Sequence, residues 1–318
     1  MIEARGITRR FGRTVAVRDV SFSVPARCVC GVLGPNGAGK TTTIRMLAGL
    51  LLPDEGTLSV AGFDVVQAAD EVRRRVGYLP ESAPLPPDLR VREVLRYRAG
   101  LLGLAGDAAR RAIDESIAAC DLGPVAGRLV SALSKGFRQR TGLAAALLGS
   151  PEAVILDEPS VGLDPLQLVA FRALLRRLAE RSTVLLSSHQ LAEVEAACDR
   201  AILIRGGTIV AEGPIAALRE RAGRGTLTIE SRCPDLATAV PAAALAGLGA
   251  VRPARSRDDG WFVQEIELAE RDGAAVDPRE ALVAALVAGR VAFRDVHLER
   301  ASLERLFVVS GDPGAGTA

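Results

Sequence analysis

The sequence predicts an α/β domain built around a phosphate-binding loop, interrupted by an all-helical insert and followed by a small α+β domain. Three observations carry this expectation. The stretch Gly34-Pro35-Asn36-Gly37-Ala38-Gly39-Lys40-Thr41-Thr42 follows the apolar run Cys28 to Leu33 and opens a helix-like segment from Lys40 to Leu50. A second apolar run, Ala153 to Leu156, ends in the adjacent carboxylates Asp157 and Glu158. Between the two lie segments with apolar residues at helical spacing, and beyond about residue 222 the motifs stop.

Composition bounds the reading. With 318 residues, 48% hydrophobic and 25% charged, the chain has room for one large globular domain and a smaller one. The balance of 40 basic against 38 acidic residues leaves +2, and aromatics make up 3%. Neither a polyanion footprint nor stacking platforms for bases are provided, so nucleic acid is not an expected partner. No apolar run approaches the ~18 residues of a membrane helix, and the N-terminus lacks the apolar core of a signal peptide. Cys28, Cys30, Cys120, Cys198 and Cys233 form no C-x-x-C pair and read as small buried apolar residues. Among many arginines the only lysines are Lys40 and Lys135, which points to positions where a compact ammonium is needed, although chance retention explains Lys135 equally well.

In chain order, Ile2 to Thr8 and Ser21 to Val24 have strand content around a turn at Phe11-Gly12-Arg13, and Cys28 to Leu33 is the strand feeding the loop. Phe11, at the tip of a basic turn, either stacks on a nucleotide base or anchors the turn in the core. The loop fits G-x-x-x-x-G-K-[ST]: its glycines let backbone N–H groups turn inward on an anion at a helix N-terminus. Lys40 would reach the β- and γ-phosphates, and the Thr41 hydroxyl would ligate Mg²⁺. Thr57 to Val60 and Val76 to Leu79 again look like strands. The second leads to Glu81, which could meet the metal or the attacking water, or could be a solvated loop carboxylate.

The helical insert spans about 84–149. Val91 to Leu102, Asp107 to Cys120 and Ser134 to Leu148 carry helical spacing and are punctuated by Pro84, Pro86, Pro87, Gly123 and Pro124. The last helix opens at Leu133-Ser134-Lys135-Gly136-Phe137, with Ser134 as N-cap and cations beside it. This is an ordinary basic helix start, or a second phosphate-holding terminus serving a nucleotide bound by another copy of the chain. At the end of the next apolar run, Asp157 would hold Mg²⁺ and Glu158 would orient or deprotonate the attacking water. Ser160 to Pro165 forms a turn containing Asp164. Thr183 to Ser188 makes another buried strand ending at His189, where a histidine can donate to the γ-phosphate or the water.

Together these residues resemble the ATP-binding subunit of an ABC transporter over Met1 to about Leu218, with the motifs agreeing in identity and order. The resemblance implies that Phe11 is the adenine-stacking A-loop aromatic and that Gly34 to Thr42 is the Walker A loop. It implies that Leu133 to Phe137 is the signature usually written LSGGQ, and that Asp157 and Glu158 are the Walker B metal carboxylate and catalytic base. Asp164 matches the D-loop and His189 the H-switch. It also implies that ATP and Mg²⁺ are bound between two ATPase subunits closing head to tail, with Ser134, Lys135 and Gly136 of one completing the site of the other. Two departures, Glu81 at the Q-loop glutamine and Lys135 for a signature glycine, are similar to the branch serving exporters with a separate permease chain. That branch includes subunits for drug self-resistance, gliding motility and copper-enzyme maturation. Such a chain would sit on the cytosolic face of the cell membrane.

After the ATPase domain, expected over 1–222, the segment 225–310 reads Thr226 to Glu230 strand, Leu236 to Leu248 helix, and Ala250 to Arg255 with Trp261 to Leu268 as a hairpin. A helix from Pro278 to Ala288, a strand from Val291 to Leu298 and a helix from Ser302 to Val309 complete it. The order β-α-β-β-α-β predicts a ferredoxin-like sandwich, and 311–318 reads as a disordered tail. This unit either regulates or stabilises a dimer, or adds stability alone. Two other functions fit less of the sequence. A soluble ABC ATPase acting on nucleic acid or ribosomes would usually carry a long coiled coil or tandem ATPase domains, and a P-loop kinase leaves the signature and His189 unexplained.

Overall fold

The computed structural model describes residues 1–222, 225–242, 245, 247–257, 259–268, 277–299, 303 and 306. It divides into two compact units, Met1–Ile215 and Ala216–Ala318. The first begins with β1 (Ile2–Phe11), β2 (Thr14–Val24), β3 (Val29–Leu33), α1 (Lys40–Leu47), β4 (Glu55–Val60) and β5 (Phe63–Asp64). Next come α2 (Ala69–Arg75), β6 (Val76–Leu79) and the helical insert of α3 (Val91–Leu101), α4 (Gly106–Ala119) and α5 (Lys135–Leu147). It closes with β7 (Ala153–Leu156), α6 (Pro165–Ala179), β8 (Thr183–Ser188), α7 (Leu191–Ala197), β9 (Arg200–Arg205) and β10 (Thr208–Pro214).

Two sheets result. An antiparallel sheet has the order β2-β1-β4-β5, and a mostly parallel sheet has the order β10-β9-β3-β8-β7-β6. The central strands β3, β7 and β8 are buried at every position. Helices and the other sheet cover both faces, so these strands read as continuous apolar runs rather than alternations. In β2, by contrast, Val20, Phe22 and Val24 are buried while Ser21 and Ser23 are exposed, the pattern of a strand with one wet face. One apolar core joins the sheets to α1 through Ile7, Phe22, Ile44, Leu47, Ile155 and Leu185.

β2 starts at Thr14, well before the expected Ser21. Arg18 and Asp19 interrupt the alternation, and the ladder absorbs them as register shifts with Asp19 at φ 45°. Register then sets the site. Leu33 pairs with Ser188, Leu156 with Leu186 and Leu79 with Leu156, all in parallel. The loop after β3, the Asp157-Glu158 pair, His189 and the segment carrying Glu81 therefore leave one edge of one sheet. That edge, the carboxyl ends of parallel strands, is where open α/β sheets bind ligands.

The second unit contains β11 (Thr226–Ser231), a helix Leu236–Ala239, β12 (Gly249–Val251), β13 (Arg255–Ser256), β14 (Phe262–Leu268), a helix Pro278–Ala288 and β15 (Phe293–Glu299). The sheet order is β12-β14-β11-β15, with β13 on β14, and every pairing is antiparallel. Leu227, Ile229, Ile266, Leu282 and Leu286 form its core. Two boundaries differ from expectation for a proline reason. The helix begun at Leu236 has stopped by Val240, which is extended ahead of Pro241. The strand expected over Ala250 to Arg255 is split around Pro253, which has no N–H for the ladder. β15 also begins at Phe293 instead of Val291. The expected helix 302–309, apart from buried Leu303 and Leu306, and the tail 311–318 lie outside the described residues.

A candidate nucleotide site at the edge of the parallel sheet

The loop between β3 and α1 is glycine-rich because its backbone is crowded. A Cβ on residue 34 would lie 2.2 Å from the Ile204 carbonyl oxygen, and one on Gly39 would lie 2.5 Å from that of Ala16. Gly39, the residue capping α1, has φ 103°, a conformation that side-chain-bearing residues rarely adopt. The first turn of α1 thus opens directly behind the loop, presenting unpaired helix N–H groups and the positive end of the helix dipole.

Lys40 begins α1 and is only 6% exposed. Its Nζ donates to the carbonyls of Gly34 at 2.8 Å and Pro35 at 3.2 Å, and lies 3.6 Å from Glu158 Oε1. The other Glu158 oxygen, Oε2, lies 2.8 Å from His189 Nδ1. A carboxylate only accepts, so this contact places the ring hydrogen on Nδ1 and leaves Nε2 for another partner. Asp157 is buried behind Glu158. Its Oδ1 accepts from Ser187 Oγ at 2.7 Å and from Thr41 Oγ1 at 3.3 Å, while Ser187 Oγ also accepts the Glu158 N–H at 2.8 Å. Glu158 adopts φ 47°, a strained backbone for a residue with a side chain.

A cavity of about 440 Å³ is lined by residues 36–42 together with Phe11, Ala16, Glu81, Glu158, Val161 and His189. Phe11 is 49% exposed, with the Arg9 guanidinium 5.0 Å from its ring centroid, so it lines the cavity rather than anchoring a core. Gly34 and Pro35 contribute the carbonyls that hold Lys40. Ser134, Lys135, Gly136 and Asp164 are not among the lining residues. Ser134 caps α5, its Oγ accepting from Phe137 N at 3.4 Å, and Asp164 caps α6, its Oδ1 accepting from Gln167 N at 2.8 Å. Ser134, Lys135 and Asp164 are exposed on the surface.

Ser187, Val161 and Ala16 escaped the sequence reading. Only Ser187 had a local signal, since a serine pair ending an otherwise apolar buried strand demands hydrogen-bond partners. The Thr41 hydroxyl and Asp157 carboxylate are hard oxygen donors close enough to share one small cation, which suits Mg²⁺. Among the described residues no group of three or more His, Cys, Asp or Glu could hold a metal by itself. Burial pushes the Cys28, Cys30 and Cys198 thiols up, and that of Cys120 up to about 12, so none offers a thiolate.

A family model described as ABC transporter matches residues 17–161. Nod factor export ATP-binding protein I of Burkholderia lata is 40% identical over 238 residues, 74% of this chain and 78% of that protein. The daunorubicin/doxorubicin resistance ATP-binding protein DrrA of Streptomyces peucetius is 38% identical over 229 residues, 72% of this chain and 69% of that protein. A solved ATP-binding subunit of an ABC transporter superposes with a TM-score of 0.64 at 29% identity, covering 70% of this chain and 92% of that one. Such identity across most of a relative's length, on a fold whose strand ends carry a glycine-rich loop and a carboxylate pair, shows that the chain belongs to the ATP-binding subunits of ABC transporters and is an ABC ATPase.

Proposed function

We propose that two ATPase subunits of this kind close on ATP, hydrolyse it and thereby power a separate membrane permease that exports its cargo. The observation that carries this reading is Glu158, held between Lys40 and His189 at the edge of the parallel sheet. Lys40 and the N–H groups at the start of α1 bind the β- and γ-phosphates, and Phe11 stacks on the adenine. Thr41 and Asp157 hold Mg²⁺, which when bound neutralises charge on the phosphates. Glu158 accepts the proton of the attacking water or orients it, and His189, with its ring hydrogen on Nδ1, donates to the Glu158 carboxylate and holds it in place. The exposure of Ser134, Lys135 and Asp164, outside the cavity of their own chain, supports their serving the nucleotide held by the other subunit. Closure would then be required for turnover.

The permease contact fits a groove of about 800 Å³ between the strand β6 and the helical insert. Its wall includes Leu50 and Leu101, exposed by 58% and 60%, together with the charged Asp70, Arg73, Arg74 and Arg98. Large exposed apolar side chains flanked by charge mark contact surfaces. No helix among the described residues is long and apolar enough to cross a membrane; a peripheral place on the cytosolic face is supported by the transporter relatives. The export direction rests on the names of the relatives and on Lys135 and Glu81. Glu81 lines the cavity but is exposed, so Glu81→Gln is expected to keep ATPase activity within about tenfold; a collapse to the level of Glu158→Gln in steady-state assays would make it a chemical participant.

The C-terminal unit reads as a ferredoxin-like domain, supported by its antiparallel β12-β14-β11-β15 order. If it stabilises the dimer, a chain ending at Ala222 should hydrolyse ATP with a steeper dependence on protein concentration. An unchanged dependence would leave it a stability appendage. The transporter reading as a whole is tested by trapping the tagged Glu158→Gln chain in ATP and identifying what co-purifies from detergent-solubilised membranes. A polytopic membrane protein supports it. Ribosomes or DNA on a wholly soluble dimer would replace it with the nucleic-acid reading.

A further inference from the structure

Glu193, in the first turn of α7, joins two loops that are distant in sequence. Its Oε2 accepts from Ser160 Oγ at 2.5 Å and from Ser188 Oγ at 3.1 Å. Both serines are buried, Ser160 at 8% exposure and Ser188 fully. Ser160 lies two residues after Glu158, and Ser188 immediately precedes His189. One carboxylate oxygen therefore ties the loop carrying Glu158 to the strand end carrying His189.

The Glu158 loop needs such a tie. Its φ of 47° is a strained conformation for a residue with a side chain and persists only where the surroundings over-determine it. Ser187 holds the N-terminal side of the loop, through the Glu158 N–H and Asp157. Further along, Val161 N donates to the Glu158 carbonyl at 3.3 Å and Leu163 N to that of Ser160 at 3.1 Å, a local turn that, in its backbone hydrogen bonds among the described residues, has no anchor of its own on β8. Glu193 supplies that anchor. We infer that Glu193 is a positioning residue for ATP hydrolysis, holding Glu158 and His189 at their working separation through Ser160 and Ser188.

This rests on the hydrolytic role proposed for Glu158, and the test separates the two. In the full-length chain, Glu193→Ala is expected to lower kcat about 10²-fold while KM for ATP and the equilibrium Kd for ADP stay within about threefold. Glu193→Gln, whose side-chain carbonyl can still accept from both hydroxyls, should restore kcat to within about tenfold of the parent. Ser160→Ala with Ser188→Ala should reproduce the loss and add nothing when combined with Glu193→Ala. A kcat for Glu193→Ala within threefold of the parent, or a loss of ADP binding parallel to the loss of kcat, overturns the inference. Should Glu193→Ala fail to fold, the double serine variant is judged by the same criteria. If Glu158→Gln itself keeps full turnover, the hydrolytic reading fails and the clamp with it; if Glu158→Gln is inactive and Glu193→Ala is not, only the clamp fails.

Discussion

Glu158→Gln is expected to lower ATPase kcat by about 10²–10⁴-fold, the usual contribution of a positioned general base, while ATP binding persists. The substitution keeps the side-chain shape, and its carbonyl can still meet one of the two groups around it, Lys40 Nζ or His189 Nδ1. What it removes is proton affinity at the one carboxylate that is both in the cavity lining and flanked by a cation. Turnover should therefore stop after binding, and light scattering of the ATP-bound variant should report a dimer more persistent than that of the parent. A kcat within tenfold of the parent would remove Glu158 from the chemistry and leave substrate positioning to carry the reaction.

Lys40→Ala should weaken ATP binding by about 10²-fold, since hydrogen bonds to a charged group contribute about 1.5–3 kcal/mol and each 1.4 kcal/mol is a factor of ten. The loss has a second component. Nζ bridges the Gly34 and Pro35 carbonyls, so its removal also frees the loop proposed to hold phosphate. Lys40→Arg is expected to rescue poorly, because a planar guanidinium is bulkier than the ammonium at a site that is 6% exposed. Titration calorimetry with ATP checks both. Affinity within threefold of the parent for Lys40→Ala would place the phosphates elsewhere.

Local chemistry was legible before any fold was known. The loop at 34–42 requires glycine for backbone reasons, the carboxylate pair follows a buried apolar run, and helix periodicity marks the insert. Each of these is a property of residues close in sequence, where propensity and spacing act directly. The strands β7 and β8 and the helix Pro278–Ala288 accordingly fall where the sequence places them.

What only the tertiary structure decided depends on register and on partners far along the chain. Thr41 and Asp157 are 116 positions apart, and it is the parallel pairing of β3, β8 and β7 that brings them within 3.3 Å. The roles of Ser187 and Glu193 arise in the same way, since a serine or a carboxylate carries no local sign of which loop it will hold. Whether Phe11 was a core anchor or an open ring was equally undecidable locally: a turn aromatic is buried or exposed according to what packs on it. The separation of Ser134 and Lys135 from their own chain's cavity is likewise set by where the helical insert docks, a matter of side-chain packing between elements that no spacing along the sequence encodes.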